Sequence, residues 1–419
     1  MLNLITQNQE DLQGFIQSLD EIARAGALQM LTAALRTEAK DFVARHAALR
    51  DDRGHALVVA NGKARARKIT LGSGTVEVSA PRVNDRRPGM KFTSKILPPY
   101  MRKSPKVENL LPILYLKGLS TSDFKSALTE FLGEGTSGLS PSAIVALKRS
   151  WEAEFSEWKK RKLTKRYVYM WADGIHVSIR LGEDKKLCLL VILGVTETGE
   201  KELLAVSAGY RESKDSWKDV LDDLRSRGMN TPLLAVGDGA LGFWAALREA
   251  EGFQSTKEQR CWVHKIANVL DKLPKRIQPR AKSLLHEIMR SETKANADTA
   301  KEKFVHAFHE KYPEAVNRIE KDWAELTAFY SFPAMHWQHL RTTNAIESTF
   351  ATVRLRTSVT KGAGSKTAAE TMTFKLLEDA QRTWRKIRGH GEIKDLLNGV
   401  AYKDGVVVAI AHPQEASAA

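Results

Sequence analysis

The chain has 419 residues, 42% of them hydrophobic, with a formal net charge of +15 and a sequence pI of about 9.6. That length exceeds one ordinary domain, and that apolar content supports a packed core, which excludes a wholly disordered or fibrous chain. The charge fits a polyanionic partner, most simply nucleic acid, although membrane surfaces and acidic proteins attract basic chains too.

The first fifty residues are nearly neutral, with five basic and six acidic side chains. Gln9–Arg50 reads as helical, because Leu12, Phe15, Ile16 and Leu19 recur at helix spacing and no proline interrupts them. The opening MLNLITQNQEDLQ lacks a basic segment followed by an apolar run, and no stretch reaches the ~18 apolar residues of a membrane helix. Cys188 and Cys261 are the only cysteines, so a disulfide framework is excluded and a reducing compartment fits. A cytoplasmic protein with no membrane partner is expected.

Between Gly62 and Lys106 twelve Lys or Arg stand against only Glu77 and Asp85. Clustered charge is a stronger nucleic-acid signal than dispersed charge, so Lys63, Arg65, Arg67 and Lys68 are candidate phosphate contacts. A solvated basic face is the plain alternative. The segment LVVANGKARARKITLGSGTVEVSAPRVND alternates like strands, and ILPPYMRKSP closes it as a linker. Helical patterns return in VENLLPILYLKGL, TSDFKSALTEFLG and GEGTSGLSPSAIVALKRSWEAEF. Ser140 can cap the last of these with Pro141 at its first position. Three short helices suit a helix-turn-helix whose final helix offers Lys148 and Arg149 to DNA; a structural bundle fits the pattern equally.

The central pattern is different. YVYMWADGIHVSIR, KLCLLVILGVT and KELLAVSAGY are strand-like, with TETGEK as a hairpin turn between the second and third. SKDSWKDVLDDLRSRG is an amphipathic helix, PLLAVGDG a short buried strand and ALGFWAALREAEG another helix. Three strands, a helix, a strand and a helix form the opening of an RNase H-like α/β core. From Ile266 to about Tyr330 the chain is helical and charged, and FPAMHWQHLRTTNAIESTFATVRLRTSV returns to the core through a further helix. The fold class expected is therefore α/β: an RNase H-like core interrupted by an all-helical insertion, preceded by helical and small β regions that bind DNA. The divisions are 1–55 (helical), 56–100 (basic β), 101–160 (helix-turn-helix-like), 161–265 (core, first part), 266–335 (insertion), 336–398 (core, second part) and 399–419, a tail without a motif.

Three acids stand out. Asp173 lies on the first core strand, and Asp238 lies just past the C-terminal end of the fourth, the usual edge for α/β active sites. Neighbouring strands would bring both carboxylates together, although Asp173 also reads as a strand-end residue and Asp238-Gly239 as an ordinary turn. Glu347 begins the returning helix. Asn344 as N-cap with Glu347 three residues on resembles a capping box. Ile346, Phe350 and Val353 form that helix's apolar stripe, while Glu347, Ala351 and Arg354 lie on another side, free to face a site. Three converging carboxylates repel unless one takes a proton or a cation joins them. Mg²⁺ or Mn²⁺ meets that need with oxygen ligands, and two such ions about 4 Å apart serve strand cleavage and strand transfer alike.

With YVYMWADGIHV, AVGDGALGFWAAL, QRCWVHK and FPAMHWQHLRTTNAIESTFATVRLRT in this order, the sequence resembles the Mutator-like bacterial insertion-sequence transposases, over about Gly62 to Arg385. The resemblance implies a DDE transposase with an RNase H-like core. It implies Asp173, Asp238 and Glu347 as catalytic and metal-binding carboxylates, and Cys261 and His264 as a C-x-x-H signature. Arg341, Thr342, Thr343 and Asn344 match the run leading into the glutamate helix. It further implies Mg²⁺ or Mn²⁺, terminal inverted repeats and target DNA as partners, and a working homodimer.

Around these residues, His264 is expected to hydrogen-bond DNA phosphate or a core carboxylate and Cys261 to pack. A structural zinc held by Cys261, His264, His336 and His339 is a weaker reading, since the spacing is not that of a standard finger. Trp337 could stack on an exposed base or simply pack in the core. Arg260, Lys265, Arg341, Asn344, Arg354, Arg356 and Lys361 flank the site and suit DNA. Two rivals remain at this point: a DNA-binding protein derived from a transposase, and a nuclease that cuts without joining.

Overall fold

The computed structural model describes residues 2–117, 119, 129, 141–180, 186–209, 211–239, 241–359 and 362–408. The chain divides into two compact units, Met1–Arg149 and Ser150–Ala419.

In the first unit, helix α1 (Leu2–Arg45) starts earlier and stops sooner than its apolar periodicity predicts. Strands β1 (Val58–Lys63) and β4 (Pro81–Asp85) pair antiparallel, as do β2 (Arg67–Leu71) and β3 (Gly74–Val78). Leu35 of α1 packs on Ile69, Val76 and Val78 with Leu97, so one face of the β2–β3 hairpin is buried and Lys68 and Glu77 stay outside. Helix α2 (Pro105–Leu116) starts where Ser104 accepts a bond from the Val107 N–H. The expected middle helix of the helix-turn-helix, 121–133, falls outside the described residues except for residue 129, as does the turn that follows. Helix α3 (Pro141–Lys160) carries Lys148 and Arg149 exposed.

The second unit is mixed α/β, built on a five-stranded sheet. Strands β5 (Tyr167–Ser178), β6 (Lys186–Thr196) and β7 (Lys201–Gly209) form an antiparallel meander. β8 (Leu234–Gly237) and β9 (Lys257–Arg260) add in parallel on the other side of β5, giving the order β7-β6-β5-β8-β9. β9 is a strand that periodicity does not reveal. One sheet face receives α4 (Lys214–Ser226) and α5 (Leu241–Glu249), whose Trp217, Leu221, Phe243 and Leu247 cluster with Met170, Leu190 and Ile192. Ser213 caps α4, and Gly228, at φ 98°, lets the chain turn out of it.

After β9 come α6 (Trp262–Leu270), α7 (Gln278–Arg290), α8 (Lys294–Phe308), α9 (Pro313–Glu320) and the single turn α10 (Trp323–Leu326). Buried Ala281, Leu285, Ile288, Ala297, Phe304 and Ile319 supply apolar contacts among them. The chain returns through α11 (Trp337–Leu340) and α12 (Asn344–Val359). Ile346, Phe350 and Val353 of α12 are all fully buried, as its stripe predicts. Each such side chain contributes about 1.5–3 kcal/mol by leaving water. Helix α13 (Lys366–Gln381) packs against β7, and α14 is Ile393–Leu397. Beyond Gly399, a short hairpin pairs Tyr402–Lys403 with Val406–Val407 through Asp404 and Gly405, both at positive φ. No helix among the described residues is long and apolar enough to cross a membrane.

Candidate active site

β5 and β8 run parallel, and their last paired residues are Ala172 and Gly237. Asp173 and Asp238 each follow by one residue, so the two acids stand side by side where β8 ends and β5 runs on against β6. Asp173 accepts the Gly174 N–H at 2.8 Å, and Asp238 accepts the Gly239 N–H while its carbonyl receives Trp244 Nε1 at 2.7 Å. Asp173 thus lies within β5, paired with Val191 of β6, and Asp238 directly follows β8.

Glu347 comes from 109 positions further along the chain than Asp238, and both reach one histidine. His264 on α6 stands between them: its Nδ1 lies 3.8 Å from Asp238 Oδ1 and 3.7 Å from Glu347 Oε1. Glu347 Oε1 also accepts the Thr343 hydroxyl at 2.5 Å. The expected capping box does not form. The Thr343 carbonyl accepts the first helical bonds, from Ile346 and Glu347 N–H, so Asn344 is already the first helical residue. Glu347 thus sits one step past the box position and its carboxylate is available to the site.

The electrostatics follow from burial and crowding. Burial pushes the Asp173 carboxyl up to about 7, opposed by His264 and the Gly174 N–H and reinforced by Glu212 and Glu347. His264 is pushed up to about 9, first by its hydrogen bond with Cys261 and then by the charges of Cys261, Asp238 and Glu347, against burial. The neighbouring acids favour its protonated form.

Glu212, on the segment between β7 and α4, is a carboxylate the sequence reasoning missed. Burial raises its pKa, and Asp238 raises it further. Gly174 makes room for it: a Cβ at that position would come 2.5 Å from Glu212 Oε1. An acid directly before the capping Ser213 was the available signal. Glu212 also groups with His176 and Cys188, and Cys261 and His264 group with Glu347, ligand atoms within 4.8 Å in each set. The four-ligand zinc set does not assemble. His336 instead bonds Tyr169 Oη at 2.8 Å and the Gly389 carbonyl at 2.9 Å, and His339 Nε2 accepts the Arg388 N–H at 3.0 Å.

The basic candidates separate by burial. Lys63, Arg65, Lys68, Lys148, Arg149 and Arg354 are exposed, as is Asn344. Arg67 is half-buried and donates to the Leu97 and Pro98 carbonyls at 3.1 and 2.9 Å, a structural role. Two expectations are corrected: Lys265 is buried against Asp322 and donates to the Arg318 carbonyl at 3.0 Å, and Arg356 is 2% exposed. Of the two readings of Trp337, core packing holds: it lies edge-on against Phe329 and Tyr330 rather than on the DNA side. Arg341 lies over the Phe329 and Trp337 rings at 4.6 and 5.1 Å, and Arg260 reaches the Gly239 carbonyl at 3.3 Å and Asp322 at 3.5 Å. These two brace the site's surroundings from within. Lys361 lies outside the described residues.

The chain is thus a basic protein with a mixed sheet beside which acids from distant segments gather around an imidazole. Residues 2–387 match the family model described as "Transposase, Mutator family", and the chain belongs to that family. It is 50% identical over 300 residues to the transposase for insertion sequence element IS6120 of Mycolicibacterium smegmatis, covering 71% of this chain and 92% of that one. It is 47% identical over 292 residues to the transposase for element IST2 of Acidithiobacillus ferrooxidans, covering 70% and 98%. At 27% identity the similarity to the transposase for element IS905 of Lactococcus lactis spans 403 residues, 96% of this chain and 98% of the relative.

Proposed function

We propose that the chain is a DDE transposase with an RNase H-like core, which cuts the ends of an insertion sequence and joins them to target DNA using Asp173, Asp238 and Glu347. The observation that carries this reading is the convergence of Glu347 and Asp238 on His264, at 3.7 and 3.8 Å, beside the place where β5 and β8 deliver Asp173 and Asp238. The strand order, three antiparallel and two parallel, supports the RNase H-like assignment.

The donor set fits Mg²⁺ or Mn²⁺. Three carboxylates offer hard oxygen ligands, and burial, with the charges of Glu212 and Glu347, pushes the Asp173 carboxyl up to about 7, a penalty on its ionised form that a divalent cation would relieve. Asp173, Asp238 and Glu347 would hold the metal, two ions in the full site. When bound, the ions supply activation of the attacking water or 3′-hydroxyl and stabilisation of the leaving oxygen. The remaining work belongs to the protein. Thr343 donates to Glu347 and fixes which way its carboxylate faces, and His264 offers a proton-bearing nitrogen beside it. Arg354, exposed on α12 beyond Glu347, presents a guanidinium suited to the DNA backbone. Lys63, Arg65 and Lys68 in the basic β region serve binding of the terminal inverted repeats, and two copies of the chain bring two ends together.

The test is joining of pre-cleaved ends to target DNA in Mn²⁺. Wild type yields joined products, whereas Asp173→Ala binds the terminal repeats but neither cuts nor joins. Equal products from Asp173→Ala would refute the assignment in favour of a role for DNA binding alone, and cutting without joining by wild type would make the protein a nuclease.

A further inference from the structure

Cys261 stands at the N-cap of α6, a position that favours side chains able to accept a bond from their own helix, yet its sulfur caps nothing there. The sulfur is turned to a segment 82 residues later: it accepts the Thr343 N–H at 3.3 Å and lies 3.2 Å from the Thr343 hydroxyl. Cys261 and Thr343 are 1% and 0% exposed, so neither group has water to fall back on. Backbone bonds flank this contact. Cys261 N–H donates to the Gly237 carbonyl at 2.8 Å, one residue before Asp238, and Trp262 N–H donates to the Arg341 carbonyl at 2.9 Å. The same Thr343 donates to Glu347 at 2.5 Å, and its carbonyl accepts the first bonds of α12.

We propose that Cys261 and Thr343 form a positioning unit that sets the Glu347 carboxylate against Asp238 after the chain's long helical excursion. Cys261 fixes Thr343 to the end of β8, and Thr343 fixes both the start of α12 and the rotamer of Glu347. Glu347 is the first acid of a helix whose apolar stripe determines only its face, and a few tenths of an ångström along the helix axis decide whether a carboxylate meets its neighbour. Outer partners of metal ligands supply that last increment, and removing one costs about 10- to 100-fold in metal affinity or activity. Cys261 therefore has a directional bonding role in place of the packing role its size implies.

The inference rests on the assignment of Glu347 to the active site, and the experiment separates the two. Full-length wild type, Thr343→Val, Thr343→Ser, Cys261→Ala and Glu347→Gln are compared by thermal melting, by binding of terminal-repeat DNA, by cleavage, and by Mn²⁺ affinity from the free-ion electron paramagnetic resonance signal. Thr343→Val keeps the side chain's shape and removes its hydroxyl. The expected result is a melting point and DNA affinity close to wild type, Mn²⁺ binding about 10-fold weaker and cleavage about 10- to 100-fold slower, with Thr343→Ser restoring most of both. Cys261→Ala, which leaves the hydroxyl in place but unanchored, moves the same two readouts in the same direction. Folded Thr343→Val and Cys261→Ala proteins that bind Mn²⁺ and cleave like wild type, beside an inactive Glu347→Gln, overturn the positioning role alone. Wild-type cleavage by Glu347→Gln overturns the active-site reading with it.

Discussion

Lys265 follows His264 directly and is positively charged, two properties that suit it to DNA, yet its ammonium is buried on Asp322 and the Arg318 carbonyl. Sequence carries charge and position but not exposure. A lysine three residues into an amphipathic helix faces inward or outward depending on a partner, here Asp322, that lies 57 positions away. Arg356, 2% exposed, belongs to the same class. The placement of the three acids was legible for a related reason: one lies on a strand and one just past a strand whose hydrophobic runs are unmistakable, and the third sits off the apolar stripe of its helix. Glu212 was not, because no strand or helix pattern marks the segment that carries it. Lys265→Ala strands the buried Asp322 carboxylate, leaving Arg260, at 3.5 Å, as its remaining ion-pair partner among the described residues. Urea unfolding is expected to show a loss of about 3–5 kcal/mol, with DNA affinity of the folded protein retained. An unchanged stability with weakened DNA binding would return Lys265 to the DNA surface.

Among the elements, α12 does two jobs, and its stripe of Ile346, Phe350 and Val353 locks the helix that presents Glu347. Phe350→Ala opens a cavity beneath that helix and is expected to cost about 3–5 kcal/mol, while Phe350→Leu costs less; denaturant midpoints measure both. A loss below about 1 kcal/mol for Phe350→Ala would mean that α12 is held chiefly by other side chains. The turns around α11 make a different prediction. Burial holds His336 below its ordinary value, and burial with the charges of Lys201, His336 and Arg388 pushes His339 down to about 4. Both imidazoles accept hydrogen bonds that require them neutral, from Tyr169 and from the Arg388 N–H. The unfolded chain takes these protons first, near pH 6.5, so the contribution to stability is complete above that value and is lost as pH falls towards 4. Melting points should decline across that interval and decline less in His339→Gln, which keeps an acceptor but cannot titrate. A parallel decline in both proteins would remove the buried imidazole from the explanation. At this scale the sheet meander, α4 and α5 were readable from their periods. β9 was not, because four residues reading KEQR become a strand only by adding to an existing sheet edge. The Asp404–Gly405 hairpin was overlooked although Asp-Gly is a strong turn signal, since two-residue strands leave no alternation to see.

Taken whole, the molecule keeps its charge and its acids apart along the chain. The basic β region carries exposed Lys63, Arg65 and Lys68, whereas Arg67 spends its guanidinium on the Leu97 and Pro98 carbonyls. Replacing the three exposed residues with glutamine should weaken binding of terminal-repeat DNA without changing the melting point. Its salt dependence should flatten by about 0.9 in log–log slope for each phosphate that is no longer neutralised. An unaltered slope would reduce the region to solvated surface. Arg67→Gln, by contrast, should lower the melting point.

If Asp173, Asp238 and Glu347 share divalent metal, Fe²⁺ substituted for Mg²⁺ reports it without any DNA. With ascorbate and peroxide, bound Fe²⁺ cuts the backbone nearest to it. Fragments should end close to residues 173, 238 and 347, all suppressed by excess Mg²⁺ and all lost in Asp173→Ala. Cleavage confined to other positions, or the same three cuts persisting in Asp173→Ala, would contradict shared metal binding.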